Sequence, residues 1–135
     1  MAGALEPGPM QVIHDAFSTR DEVLDDIKAL DFWPTTYVSD LMDELPVHWH
    51  DFDNCGYVLE GKSYVLDEHG ERVPLGPGDK LVIPRGAIHA EGAVTEPMVY
   101  IVGLPMAANL FDVLIDFKDP ATSPFFEPDP GDGSG

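Results

Sequence analysis

Two periods of hydrophobic spacing divide the chain. Over residues 19–30 the spacing is helical: Thr19-Arg20-Asp21-Glu22 has the Ser/Thr-x-x-Glu arrangement of a capping box, with carboxylates in the first turn. Val23, Leu24, Ile27 and Leu30 then fall on one apolar stripe, and Pro34 stops any continuation. Beyond it the period changes to two. Residues 36–42, 47–52, 55–59, 62–66, 71–75, 80–83, 87–93 and 98–104 read as strands, separated by turn signals such as Glu60-Gly61, Gly76-Pro77-Gly78-Asp79 and Pro84-Arg85-Gly86. Short strands with evenly spaced turns predict an all-β antiparallel sandwich or barrel preceded by one short helix. Residues 107–117 carry Leu110, Phe111, Leu114 and Ile115 at helical spacing; a helix is favoured there over a closing strand. The ends, 1–10 and 119–135, are rich in Pro, Gly and acids and read as flexible, with Phe125 and Phe126 able to pin part of the tail. One domain over 11–118 is expected, with no internal repeat.

Composition narrows the partners. Thirteen Gly and 13 Pro in 135 residues exclude a helical bundle, and 44% hydrophobic residues exclude a disordered chain. Seven Lys+Arg against 25 Asp+Glu give a formal net charge of −18. That balance argues against nucleic acid and against an anionic membrane surface, which both need clustered cations. No run of 18 apolar residues exists to span a bilayer, and residues 1–10 lack the basic and apolar regions of a signal peptide. The single cysteine, Cys55, rules out an internal disulfide and reads as a buried, inert thiol; the cytoplasm is the expected compartment.

Of the five histidines, His69 sits in a polar turn and His14 lies before the helix; neither is given a role. His48 and His50 differ, because positions i and i+2 of a strand share a face. Two imidazoles side by side in an apolar interior need something to satisfy them, and a divalent metal does so. The pattern alone also fits a surface pair beside Trp49.

The second half of the chain adds Gly78-x5-Pro84-x-Gly86-x2-His89, and His48-x-His50 is followed by Gly61. In residue type and spacing these seven positions resemble the two motifs of the cupin superfamily, G-x5-H-x-H-x3-4-E-x6-G and G-x5-P-x-G-x2-H-x3-N. The resemblance covers residues 36–104. It implies a small double-stranded β-helix, or jelly-roll barrel, holding a divalent metal on His48, His50 and His89. Three positions depart from the pattern: Met42 stands at the first glycine, Asn54 at the ligand glutamate and Ala93 at the closing asparagine. An amide oxygen is a poorer ligand than a carboxylate for a hard cation, so Asn54 is at best a weak fourth donor. Three-histidine centres within the family occur in some non-haem iron dioxygenases. Iron(II) is therefore the first expectation, with zinc, manganese or nickel as alternatives.

Two further residues are catalytic candidates. Glu91, two residues after His89, faces the same interior if the strand continues, as a ligand, an orienting group or a proton shuttle. If the strand stops at Ala90, it is exposed. Arg85, one of few cations, would hold a substrate carboxylate at the barrel mouth or else pair with a neighbouring acid. Asp51 and Asp53 read as solvated turn acids. The expected function is a small metalloenzyme, dioxygenase-like, acting on a small organic molecule. An isomerase or lyase, or a non-catalytic sugar-binding module, is the alternative. Homodimerisation through the helix and the strand at 36–42 is also expected, and sedimentation would reveal it.

Overall fold

Helix α1 (Arg20–Leu30) forms where the capping box places it. The Glu22 amide donates to Thr19 Oγ1 at 3.2 Å, and the Thr19 amide donates back to the Glu22 carboxylate at 3.0 Å. The helix ends at Asp31, whose left-handed φ of 62° sends the chain directly into a strand. Val23 and Ile27 are buried, whereas Leu24 lies at the edge of the stripe, 41% exposed. The computed structural model describes residues 5–39, 41–106 and 118–124. The element expected at 107–117 and the aromatic pair Phe125 and Phe126 lie outside them.

The rest of the described chain is antiparallel β-structure. Strands β1 (Gln11–Ile13), β2 (Trp33–Ser39), β3 (Asn54–Glu60), β6 (Lys80–Ile83) and β8 (Met98–Leu104) form one sheet in the order β1-β6-β3-β8-β2. Strands β4 (Ser63–Leu66), β5 (Arg72–Leu75) and β7 (Ala90–Glu91) form a second sheet in the order β5-β4-β7. The two sheets make the expected jelly-roll barrel around an aliphatic core that includes Val58, Val65, Leu75, Leu81, Ile83 and Met98.

The larger differences from the sequence reading concern three strands and one element it did not contain. The strand expected at 36–42 starts at Trp33 and ends at Ser39. Pro34 is tolerated in it because β2 pairs only with β8 among the described residues, leaving an edge that needs no ladder donor. Trp33 and Val38 stand exposed on this edge strand. Among the described residues, the strand expected at 47–52 is present as single bridge pairs, His48 with His89 and Trp49 with Lys118. The one expected at 87–93 shrinks to β7, flanked by the bridges at His89 and Val94. β1 carries no turn-bounded alternation in the sequence, and it forms by pairing with β6.

Alternation along β3 sorts its side chains to two faces. Val58 enters the barrel core, while Cys55 and Tyr57 pack beneath α1 with Val23, Ile27, Phe32 and Ile101. Tyr57 donates to Asp26 Oδ2 at 2.5 Å, and Lys80 Nζ reaches the same oxygen at 2.6 Å, tying helix to sheet. Burial works against ionisation of Asp26, but these two donors outweigh it and hold its carboxyl below the usual value. Burial likewise pushes the Cys55 thiol up, in keeping with an inert core residue. Residues 118–124, most of which the sequence reading gave to the tail, lie against the body. Trp49 Nε1 donates to Asp119 O and to Thr122 Oγ1, both at 3.0 Å, and Ser123 Oγ bonds Gly86 O.

Candidate metal centre

The two histidine segments are held side by side by main-chain bonds. His48 N–H donates to His89 O at 2.8 Å, and His89 N–H donates to His48 O at 2.9 Å. One step along, Gly86 N–H donates to His50 O at 2.9 Å, fixing the Pro84-Arg85-Gly86 turn against the first segment. The three imidazoles therefore converge. Ring centroids lie 4.8 Å apart for His48–His50, 4.6 Å for His48–His89 and 5.3 Å for His50–His89. One donor nitrogen from each lies within 4.8 Å of the others, and all three residues are buried.

The hydrogen bonds of the rings fix which nitrogen faces the centre. His48 Nδ1 is 2.6 Å from Pro46 O, and His89 Nδ1 is 2.9 Å from Ala87 O. A carbonyl only accepts, so each Nδ1 carries the proton and leaves the Nε2 lone pair available. His89 Nε2 is buried with no hydrogen-bond partner. Backbone carbonyls orienting imidazoles in this way are the usual outer support of a metal site. The donor set fits a divalent metal.

Glu91 stands at the edge of this cluster. Its Oε2 lies 3.5 Å from His48 Nε2, as alternation from His89 along β7 predicts if the strand continues. Asn54 is buried, with its Nδ2 lacking a hydrogen-bond partner. Arg85 is elsewhere: its exposed guanidinium pairs with Asp51, and its amide donates to Asp53 Oδ1 at 2.7 Å. Asp53 also accepts from the Leu5 amide at 3.0 Å. These turn acids thus anchor the Arg85 turn and the N-terminal segment.

A cavity of about 270 Å³ opens beside the cluster, and both Asn54 and Glu91 line it. Its walls are mostly aliphatic, from Val65, Leu75, Leu81, Ile83, Val94 and Val102, with Tyr37, Tyr64 and Tyr100 adding rings. Met42, at the motif's first glycine position, bridges Val94 and also faces the cavity. Burial, helped by the Glu91 charge, pushes the Tyr100 phenol up to about 12, so it stays a neutral donor. Sequence reasoning passed over Tyr37 and Ser39. Their shared parity within the expected strand was the available signal, but which face of that strand turns to the cavity depends on its pairing with β8.

Burial holds the His89 imidazole below its ordinary value of 6.5. In the metal-free protein the unfolded chain takes up a proton at His89 that the folded chain refuses. The stability this contributes is complete above pH 6.5 and is lost as pH falls toward the lower folded value. The melting temperature of the metal-free protein is expected to fall more steeply below pH 6.5 than that of His89→Asn. Taking the difference cancels the titration of the many carboxylates.

A profile of the cupin domain family matches residues 42–103, which include all three histidines. No curated protein matches the chain. Among solved structures, a DUF861 family protein from Thermotoga maritima is 20% identical, with 70% of this chain and 98% of that chain covered and a TM-score of 0.50. A cupin-2 domain containing protein from Shewanella frigidimarina is 25% identical, covering 56% and 72% at a TM-score of 0.47. KdgF from Halomonas sp. is 29% identical, covering 57% and 71% at a TM-score of 0.46. With the profile spanning both motifs and the barrel bringing their histidines together, residues 42–103 match the cupin domain in sequence pattern and in fold.

Proposed function

We propose that the chain is a metal-dependent enzyme acting on a small, mainly apolar organic molecule, with iron(II) and dioxygen chemistry as the first reading. The observation that carries it is the convergence of three buried imidazoles beside an apolar cavity large enough for a small substrate. A divalent metal bound there would act as a Lewis acid or, as iron(II), bring dioxygen to the substrate. His48, His50 and His89 would hold it. The aliphatic walls exclude water from the substrate's body, and the Asn54 amide offers a donor to an oxygen on it. No Lys or Arg lines the cavity among the described residues, so an anionic group away from the metal would find no counter-charge.

The test is elemental analysis of protein purified without a tag, followed by oxygen uptake on iron loading with small carbonyl and thiol compounds. Stoichiometric metal and substrate-dependent uptake are expected. A second reading is an isomerase or lyase using zinc, manganese or nickel, favoured by the carboxylate of Glu91 between cluster and cavity, where it would hold a proton. Turnover in the absence of oxygen selects it. Ligand binding with no turnover under any metal reduces the chain to a binding module.

A further inference from the structure

Resting on the metal reading above, we propose that Glu91 is the charged ligand of the centre, supplied from β7 rather than from the Asn54 position on β3. The argument starts from charge. Three neutral imidazoles leave a bound divalent ion uncompensated in a buried site, and an anionic oxygen nearby lowers that cost. Glu91 has the oxygen. Its Oε2 is buried, accepts no hydrogen bond, and lies 3.5 Å from His48 Nε2.

The direction of the His48 ring sharpens this. Its Nδ1 proton is directed at Pro46 O, so neutral His48 presents an Nε2 lone pair to a carboxylate oxygen. Two acceptors facing each other at that distance repel unless a proton or a cation sits between them. A cation shared with His50 and His89 satisfies both.

Asn54 presents the opposite chemistry. Its buried unpartnered atom is Nδ2, an N–H donor, which cannot ligate a cation and suits an acceptor on a substrate instead. The backbone beneath Glu91 is fixed on both sides. Glu91 pairs with Val65 of β4, and its carbonyl accepts from the Leu45 amide at 3.0 Å. Only the side chain needs to adjust as an ion enters. Glu91 also lines the cavity, which places its carboxylate between the cavity and His48.

The test titrates metal-free wild type, Glu91→Gln, Glu91→Asp and Asn54→Ala with cobalt(II), reading affinity by calorimetry and coordination by the visible spectrum. Thermal melts of the metal-free proteins check folding. Glu91→Gln is expected to weaken cobalt binding by about 100-fold and to change the spectrum. Glu91→Asp is expected to recover part of the affinity, and Asn54→Ala to change it by less than about tenfold. Wild-type affinity and spectrum in Glu91→Gln would overturn the proposal while leaving the three-histidine centre standing. So would a weakened affinity with an unchanged spectrum, which marks a nearby charge rather than a ligand, or loss of metal in Asn54→Ala alone. No cobalt binding by wild type overturns the metal reading itself.

Discussion

His89→Ala is expected to weaken binding of zinc or cobalt by more than about 100-fold, since even groups that only orient metal ligands are worth about 10- to 100-fold. Removing His89 takes away a whole donor and leaves two neutral imidazoles, too few to hold a labile divalent ion. The fold is expected to survive because the barrel core is aliphatic and the bridge between residues 48 and 89 is made by main-chain bonds that alanine keeps. A folded, metal-poor protein is the expected result, measured by elemental analysis beside a thermal melt. His48→Ala and His50→Ala are expected to behave alike. Retention of full occupancy in His89→Ala would mean that the cluster is not the metal site.

The largest effect on stability is expected from Gly61→Ala. Gly61 closes the first motif at the turn between β3 and β4, with a φ of 89° that L side chains rarely adopt. Space is closed to it as well. A Cβ there would lie 2.7 Å from the carbonyl oxygen of Pro97 and 2.8 Å from Met98 Cγ, so the backbone before β8 would have to move. Left-handed strain and overpacking each cost about 1–3 kcal/mol. The sum, about 3 kcal/mol, corresponds to a fall of about 10 °C in melting temperature for a domain of this size. Gly70→Ala, at a similar φ of 74° but with nothing near its Cβ, isolates the strain from the crowding.

The motif residues were legible because each answers a local physical demand. Gly61, Gly78 and Gly86 all take positive φ, at 89°, 94° and 87°, so their spacing records where the chain turns. The histidines record which segments must meet. The capping box at Thr19 and Glu22 and the alternation that separates Asn54 from Cys55 were equally local, and the structure follows both. What could not be read was long-range. The segment around His48 looks like a strand by pattern, yet among the described residues it pairs only through single bridges, to His89 and Lys118. Whether Glu91 turned inward depended on how far β7 ran, which pairing with β4 decides. Pairing of Arg85 with a neighbouring acid was one of its two readings, but that the acid is Asp51, 34 residues away in sequence, depends on the two segments meeting.

Trp49 would make residues 118–122 a thermodynamic partner of a metal bound at the histidines. It lies between His48 and His50 in sequence, and its indole and backbone bind residues 118, 119 and 122. Ordering imposed on the two histidines by a bound metal would reach that segment through Trp49, and by reciprocity undocking of the segment would loosen the metal by the same factor. Hydrogen exchange at the Ala121 amide, bonded at 2.9 Å to Asp119 Oδ1, is thus a remote gauge of occupancy at the centre.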